Sequence, residues 1–263
     1  MVLNWLKAIM IAVAVLVGFT PDAHAQQTYP RRYVSRPLWL PHGGVRVDGA
    51  FPLHSVDAPG QDRLNTFSAL IGIGVGIIPN LEIGAVALPL QLAEEFDYRN
   101  PSFYASYRWV STKLLDLGLR ADVSIPFQDA RESFDGAVIP FSPWFGDVAV
   151  GIPLRLRFVD AVRLDIGAHL GFVFTDPLGT RITLPVKLAF QLTDTVFMGP
   201  QSGVQIINGD EATVPAGLFV GTNLGAFSER PTCDLVGTFL LPDTNKGFDE
   251  FVVGVALNVY LFL

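Results

Sequence analysis

The sequence of 263 residues contains one cysteine, Cys233, so no disulfide can form within the chain. Charged residues are scarce: they make up 16% of the chain, against roughly 25% in an average soluble domain. Basic residues are also fewer than acidic ones, 18 against 25, which leaves a formal net charge of −7. The composition therefore excludes a disulfide-stabilised fold and offers no basic surface for a nucleic acid.

Long apolar runs are missing as well. The run from Ala8 to Phe19 has twelve residues, whereas a membrane helix needs about 20. Lys7 precedes this run, and the small residues Ala23 and Ala25 follow it, as in a secretory signal peptide with its cleavage site. We therefore expect residues 1–25 to be a signal peptide and residues 26–263 to form one exported domain.

The sequence is rich in residues that alternate between apolar and polar. In VRLDIGAHLGFVF, residues 162–174, every second residue from Val162 is apolar, and Arg163, Asp165 and His169 lie between them. A period of two predicts an extended strand with one apolar face and one polar face. Twelve such segments are found: 38–53, 64–78, 81–92, 102–110, 114–127, 145–158, 162–174, 181–193, 195–207, 212–225, 232–241 and 249–263.

Three features indicate that the apolar faces meet lipid rather than a core. The segments are long enough for a tilted strand to cross a bilayer, which takes about 9–11 residues. The mean hydropathy is +0.39 although no apolar run can form a membrane helix. Tight turns such as Pro79-Asn80 alternate with longer, polar connections such as residues 128–144, as in bacterial outer-membrane barrels.

Aromatic residues on the apolar faces form two groups. Phe51 and Phe103 belong to the group near the long connections, and Trp109, Phe158 and Phe190 lie near the short turns. Two aromatic belts with an aliphatic band between them are typical of the two membrane interfaces.

The last segment, FVVGVALNVYLFL, alternates from Phe251 to the final residue, Leu263, which follows Phe262. Here the chain resembles the outer-membrane β-barrel proteins of Gram-negative bacteria, whose closing strand is read by the assembly machinery. The resemblance implies an all-β fold, a transmembrane antiparallel up-and-down β-barrel of about 12 strands, in the bacterial outer membrane. It also implies contact with the lipid bilayer. The long connections are rich in acidic residues, which are explained by hydration of exposed loops or by divalent cations that bridge them to lipopolysaccharide.

With the polar faces turned inward, charged side chains line the lumen. The candidate lumen-lining residues, a possible constriction among them, are Asp116, Arg120, Asp122, Asp147, Arg155, Arg157, Arg163, Asp165, His169 and Lys187. Turn geometry places Arg108 opposite Asp116 and Arg155 opposite Asp165, so these charges are explained by cross-strand pairing in the wall. The remaining cluster of Arg157, Arg163 and His169 is a candidate constriction for an anionic solute.

Signals for an enzyme, a cofactor or a metal are not found in the sequence. GIGVG at 72–76 does not fit a phosphate-binding loop, and no spacing resembles a calcium loop. Some outer-membrane barrels are lipid hydrolases with a histidine near a serine, but His54 and Ser55 are adjacent on an extended segment and point apart.

The sequence therefore predicts a passive porin or channel for small polar solutes. Two alternatives remain open: a non-conducting structural or adhesion barrel, and a lipid-modifying outer-membrane enzyme.

Overall fold

The computed structural model describes residues 29–57, 63–92, 96–98, 101–125, 148–173, 179–225 and 232–262. The strands are β1 (Gly44–Val56), β2 (Leu64–Ile78), β3 (Leu81–Leu92), β4 (Phe96–Tyr98), β5 (Ser102–Ser111), β6 (Leu115–Ser124), β7 (Val148–Val159), β8 (Val162–Val173), β9 (Gly179–Gln191), β10 (Val196–Ile207), β11 (Glu211–Thr213), β12 (Ala216–Asn223), β13 (Cys233–Leu241) and β14 (Glu250–Phe262). Two short 3₁₀ segments span Tyr33–Ser35 and Thr244–Asp249.

Twelve of these strands form one closed antiparallel barrel, which confirms the predicted fold. Each strand pairs with the next one along the barrel, and β14 pairs with β1 over the full length of both strands. The pairing of β9 with β10 completes the ring. The two three-residue strands lie off this ring, because β4 pairs only with the end of β3 and β11 only with the end of β10.

The two faces of the wall have the predicted orientation. On β7, Val150 and Ile152 are 43% and 46% exposed on the outside, whereas Ala149 and Arg155 are buried inside. The aromatic ring of Trp109 is also exposed on the outer surface. An apolar exterior around a charged interior is the reverse of a soluble fold and matches a barrel that spans a membrane.

The first strand starts later than predicted, because residues 38–43 are not part of the sheet. Pro41 has no backbone N–H to give to a ladder, and the N–H groups of Leu38 and Leu40 bind the side chains of Asp116 and Glu82 instead. Gly43 then turns the chain into β1 with a φ of 74°, a conformation that glycine adopts without strain.

The predicted strand 212–225 is divided into two. Residues 211–213 form β11 and residues 216–223 form β12, with Val214 and Pro215 between them. A proline interrupts the ladder at this point, because it cannot donate a hydrogen bond.

Some predictions fall outside the described residues. The signal peptide at residues 1–25, Asp147 and the connection 128–144 are among them. No helix in the described part of the chain is long and apolar enough to cross a membrane.

The orientation of the wall can be tested on two adjacent strands near mid-height. Val255 is 47% exposed on the outer face of β14, and Ala50 on β1 lines the interior. We expect Val255→Arg to cost about 2–4 kcal/mol, because the charge would lie in lipid, and Ala50→Arg to fold like the wild type. Heat-modifiable electrophoretic mobility after refolding into vesicles measures the folded fraction. Equal folding of the two variants would contradict the orientation.

Candidate functional site in the lumen

A segment that precedes the first strand lies inside the barrel. Residues 29–43, here called the lumen segment, contact lumen-facing side chains near the short turns of the wall. Tyr29, Val34, Trp39 and Leu40 are buried there although they belong to no strand. Prolines at positions 30, 37 and 41 restrict the backbone and remove ladder donors, so this part of the chain does not join the sheet.

Arg36 is the centre of the lumen segment and is 2% exposed. Its guanidinium forms a two-pronged ion pair with Asp234 of β13, in which Nη2 donates to Oδ1 at 3.0 Å. The same group donates to the hydroxyl of Tyr260 at 3.3 Å. Two carbonyls of its own segment, those of Pro30 and Arg31, accept from it at 3.0 and 2.8 Å. All of these contacts are charge-assisted, which makes them the stronger kind of hydrogen bond.

Carboxylates of the wall accept from the backbone of the lumen segment. Asp116 accepts from the N–H of Leu38 at 2.9 Å, and Glu82 accepts from the N–H of Leu40 at 2.8 Å. Both carboxylates are almost completely buried. These bonds replace the strand ladder that the segment lacks, so the buried backbone N–H groups of Leu38 and Leu40 are satisfied.

Arginines of the wall donate to the carbonyls of the same segment. Arg155 donates to the carbonyl of Pro37 at 2.7 Å, and Arg163 donates to that of Tyr33 at 2.5 Å. Arg157 reaches the carbonyl of Arg36 at 3.3 Å. The polar wall therefore binds both the donors and the acceptors of the inserted backbone.

An apolar cluster adds to this polar attachment. The ring of Tyr33 stacks on that of Phe197 with centroids 3.9 Å apart, and Val34 packs in the same cluster with Phe219. Phe197 and Phe219 are interior residues that were not predicted from the sequence. The alternation along β10 could have identified Phe197, because it lies four residues before Gln201 and therefore on the same, lumen-facing side of the strand.

The predicted lumen residues in the described ranges do face the interior, and most form ion pairs. Arg155 and Asp165 pair as predicted, with Nε and Oδ1 2.6 Å apart. Arg120 pairs with Asp122 at 2.8 Å on its own strand.

The predicted pair of Arg108 and Asp116 is wrong. A bulge at Trp109 places Arg108 opposite Gly118, and Arg108 binds Asn80. Asp116 pairs instead with Arg157 at 2.5 Å.

The predicted cluster of Arg157, Arg163 and His169 is divided between two regions. Arg157 binds the carbonyls of Thr112 and Lys113 at the short-turn end as well as Asp116. The imidazole of His169 lies farther up the wall over the backbone of Gly151, where an added Cβ would collide with the ring.

A cavity of about 350 Å³ lies between the lumen segment and the wall. We call it the lumen cavity. Its floor includes Tyr33, Arg36 and Trp39 of the lumen segment. Its walls combine charged and apolar side chains, namely Arg46, Asp48, Ala50, Leu70, Glu82, Val86, Tyr104, Arg120, Arg155, Arg163, Asp165, His169, Lys187 and Asn258.

Two histidines lie outside the lumen cavity. His54 Nε2 is 3.0 Å from Glu250 Oε1, at the end of β1 near the long connections. His42 Nδ1 is 2.7 Å from the carbonyl of Ile77 at the opposite end. Their hydrogen bonds therefore go to groups other than a serine hydroxyl.

Fold and lumen together define a twelve-stranded membrane-spanning barrel with a segment bound inside. No family model and no curated protein matches the chain, but solved structures do. The COG4313 outer membrane channel from Pseudomonas putida F1 is 10% identical with a TM-score of 0.57, covering 92% of this chain and 100% of that one. The NanC porin (7%, 0.55) and the KdgM porin (7%, 0.52) each cover 81% of this chain and 98% of their own. At these identities the likeness shows a shared fold.

Two arginines of the lumen segment allow a matched test of its attachment. Arg36→Met leaves the buried Asp234 without its cation, which costs about 3–5 kcal/mol. Arg32 and its partner Asp194 are 48% and 68% exposed, so Arg32→Met costs at most about 1 kcal/mol. We expect chymotrypsin to cleave at Tyr33 roughly a hundred to several thousand times faster in Arg36→Met than in the wild type, and Arg32→Met to stay within about fivefold of the wild type. Similar cleavage of both variants would contradict the central role of Arg36.

Proposed function

We propose that this protein is a passive channel for small polar solutes in the bacterial outer membrane. The observation that carries the proposal is the lumen cavity, a space of about 350 Å³ lined by both charged and apolar side chains that remains inside the barrel beside the lumen segment. A barrel that served only as a membrane anchor has no need for a charged, hollow interior. Solutes would cross down their gradient, selected by width and by the charges along the wall.

The lumen segment would set the narrowest part of the path. Twelve strands enclose more space than the eight whose side chains fill the interior, and less than the 16–18 of an open porin. The segment occupies the short-turn half of that space, where Arg36 and Trp39 cross the lumen. The solutes that pass would therefore be small.

The orientation and export route belong to the same proposal. Residues 1–25 would be removed as a signal peptide, the short turns would face the periplasm, and the last strand would be the part that the assembly machinery reads. The longer acidic connections would face outward toward lipopolysaccharide.

A non-conducting barrel is the second candidate, and one observation favours it. The lumen segment is hydrogen-bonded from several sides, by Asp116, Glu82, Asp234 and Arg155 among others. An inserted segment held this firmly is also what a sealed barrel needs.

Planar-bilayer recording of the refolded protein distinguishes the two. We expect steady conductance from the wild type and from Arg32→Met, and a higher conductance from Arg36→Met, because the loosened segment widens the path. Silence from all three proteins, with the barrel folded as judged by its electrophoretic mobility, would overturn the channel in favour of the sealed barrel.

A further inference from the structure

Three cations surround one carboxylate where β7, β8 and β9 meet. Asp165 accepts from Arg155 Nε at 2.6 Å, and its other oxygen lies 3.0 Å from Arg163 Nη2. Lys187 on β9 is the cross-strand partner of Asp165. All four residues line the lumen cavity. Three positive charges and one negative charge leave this part of the wall with a net charge of +2.

The cations on the opposite wall of the cavity are matched or outnumbered by neighbouring carboxylates. Arg46 lies 2.8 Å from Asp48 and 3.5 Å from Glu82. Arg120 pairs with Asp122. Among the described residues that line the cavity, the excess of positive charge is therefore on the wall of β7–β9.

Arg163 carries a hydrogen-bonding group that the protein does not satisfy. Its side chain is 1% exposed and stacks on Tyr33 with its central carbon 3.8 Å from the ring centroid. Nη1 donates to the Tyr33 carbonyl and Nη2 faces Asp165, but Nε has no partner in the structure. A buried donor without an acceptor is costly, and an acceptor that entered from the cavity would remove this cost.

Two further buried polar atoms without partners lie on the same side of the barrel. They are Gln201 Nε2, on the residue that pairs with Lys187 across β9 and β10, and Thr183 Oγ1, on the residue that pairs with His169. Of the three residues Arg163, Gln201 and Thr183, Arg163 is the one that lines the lumen cavity.

We propose that this wall, with Arg163 and Lys187 as its anion-binding groups, is a binding site for the carboxylate or phosphate group of a small solute. The proposal rests on the channel function and deepens it, because it names anionic solutes as the class that the channel takes. A guanidinium matches the geometry of an oxyanion, and an ammonium adds a point charge. The proposed site differs from the cluster predicted from the sequence. It excludes Arg157, because Asp116 neutralises that arginine, and it includes Lys187.

Chemical labelling of Lys187 tests the site without requiring conduction. The refolded protein is treated with acetic anhydride in inorganic phosphate, in succinate, or in sodium chloride at equal ionic strength, and each lysine is followed by mass spectrometry. Lys113 in a short turn and Lys246 near the long connections are internal controls. Titration with a bound anion to about ten times its dissociation constant should slow labelling of Lys187 roughly tenfold and leave the two controls unchanged.

A pair of matched variants locates the site. Arg163→Lys keeps the positive charge but removes the planar guanidinium with its several N–H donors. The anion concentration that gives half protection of Lys187 should therefore rise about tenfold. Arg46→Lys, on the opposite wall of the same cavity, should leave it unchanged. Chymotrypsin cleavage at Tyr33 checks that the lumen segment stays bound in both variants. Both substitutions keep the positive charge, so an unchanged concentration in both variants would mean that overall charge attracts the anion. An equal rise in both would mean that neither wall is specific for it. Either result overturns the site.

The remaining outcomes are decisive in the same way. Protection by one anion alone supports the site and identifies its chemistry. Labelling of Lys187 that neither anion slows overturns it, and so does a Lys187 that the reagent never reaches. Protection of Lys187 without conductance would support the anion site and overturn the channel function. Conductance without protection would support the channel function and overturn the anion site.

Discussion

The structure depends on the rule that every backbone polar group in hydrocarbon must find a partner within the protein. The twelve barrel strands meet this rule because β14 pairs with β1 over the full length of both strands and leaves no free edge. Closure at this strand number encloses more space than the wall's own side chains fill. The lumen segment occupies part of that space, so the inserted backbone is a consequence of the same closure that satisfies the sheet.

The two most deeply buried carboxylates inside the barrel, those of Asp116 and Asp234, each have several partners. Asp116 accepts from Arg157, from Ser111 and from the backbone of Leu38. Asp234 is shared by Arg36, Tyr260 and Asn223. A buried carboxylate needs this degree of satisfaction, since the loss of a single partner costs several kcal/mol. The lumen segment therefore contributes to the stability of the wall charges as much as they contribute to its position.

Period-two alternation was sufficient to predict the twelve strands and their two faces, because each strand borders lipid on one side and polar lumen on the other. It failed at residues 38–43, where Leu38 and Leu40 also alternate but belong to the inserted segment. The pair Arg155–Asp165 was predictable because a tight turn sets the register of β7 and β8. The same reasoning failed for Arg108, because a bulge at Trp109 shifts the register of β5 and β6 by one residue. The contact between Tyr33 and Phe197 joins residues that are far apart in the sequence, so no local sequence pattern predicts it.

The lumen segment is also attached to β13 and β14, the last two strands of the barrel. Arg36 binds Asp234 on β13 and Tyr260 on β14, and the ring of Tyr29 packs against those of Tyr260 and Phe262. The segment is also continuous with β1, the strand to which β14 pairs. Tyr260 and Phe262 therefore contribute both to the pairing of β14 with β1 and to the binding of the lumen segment. A substitution that weakens one of these interactions is expected to weaken the other. The contacts inside the lumen are consequently part of the closure of the barrel, which explains why so many polar contacts are kept in its interior.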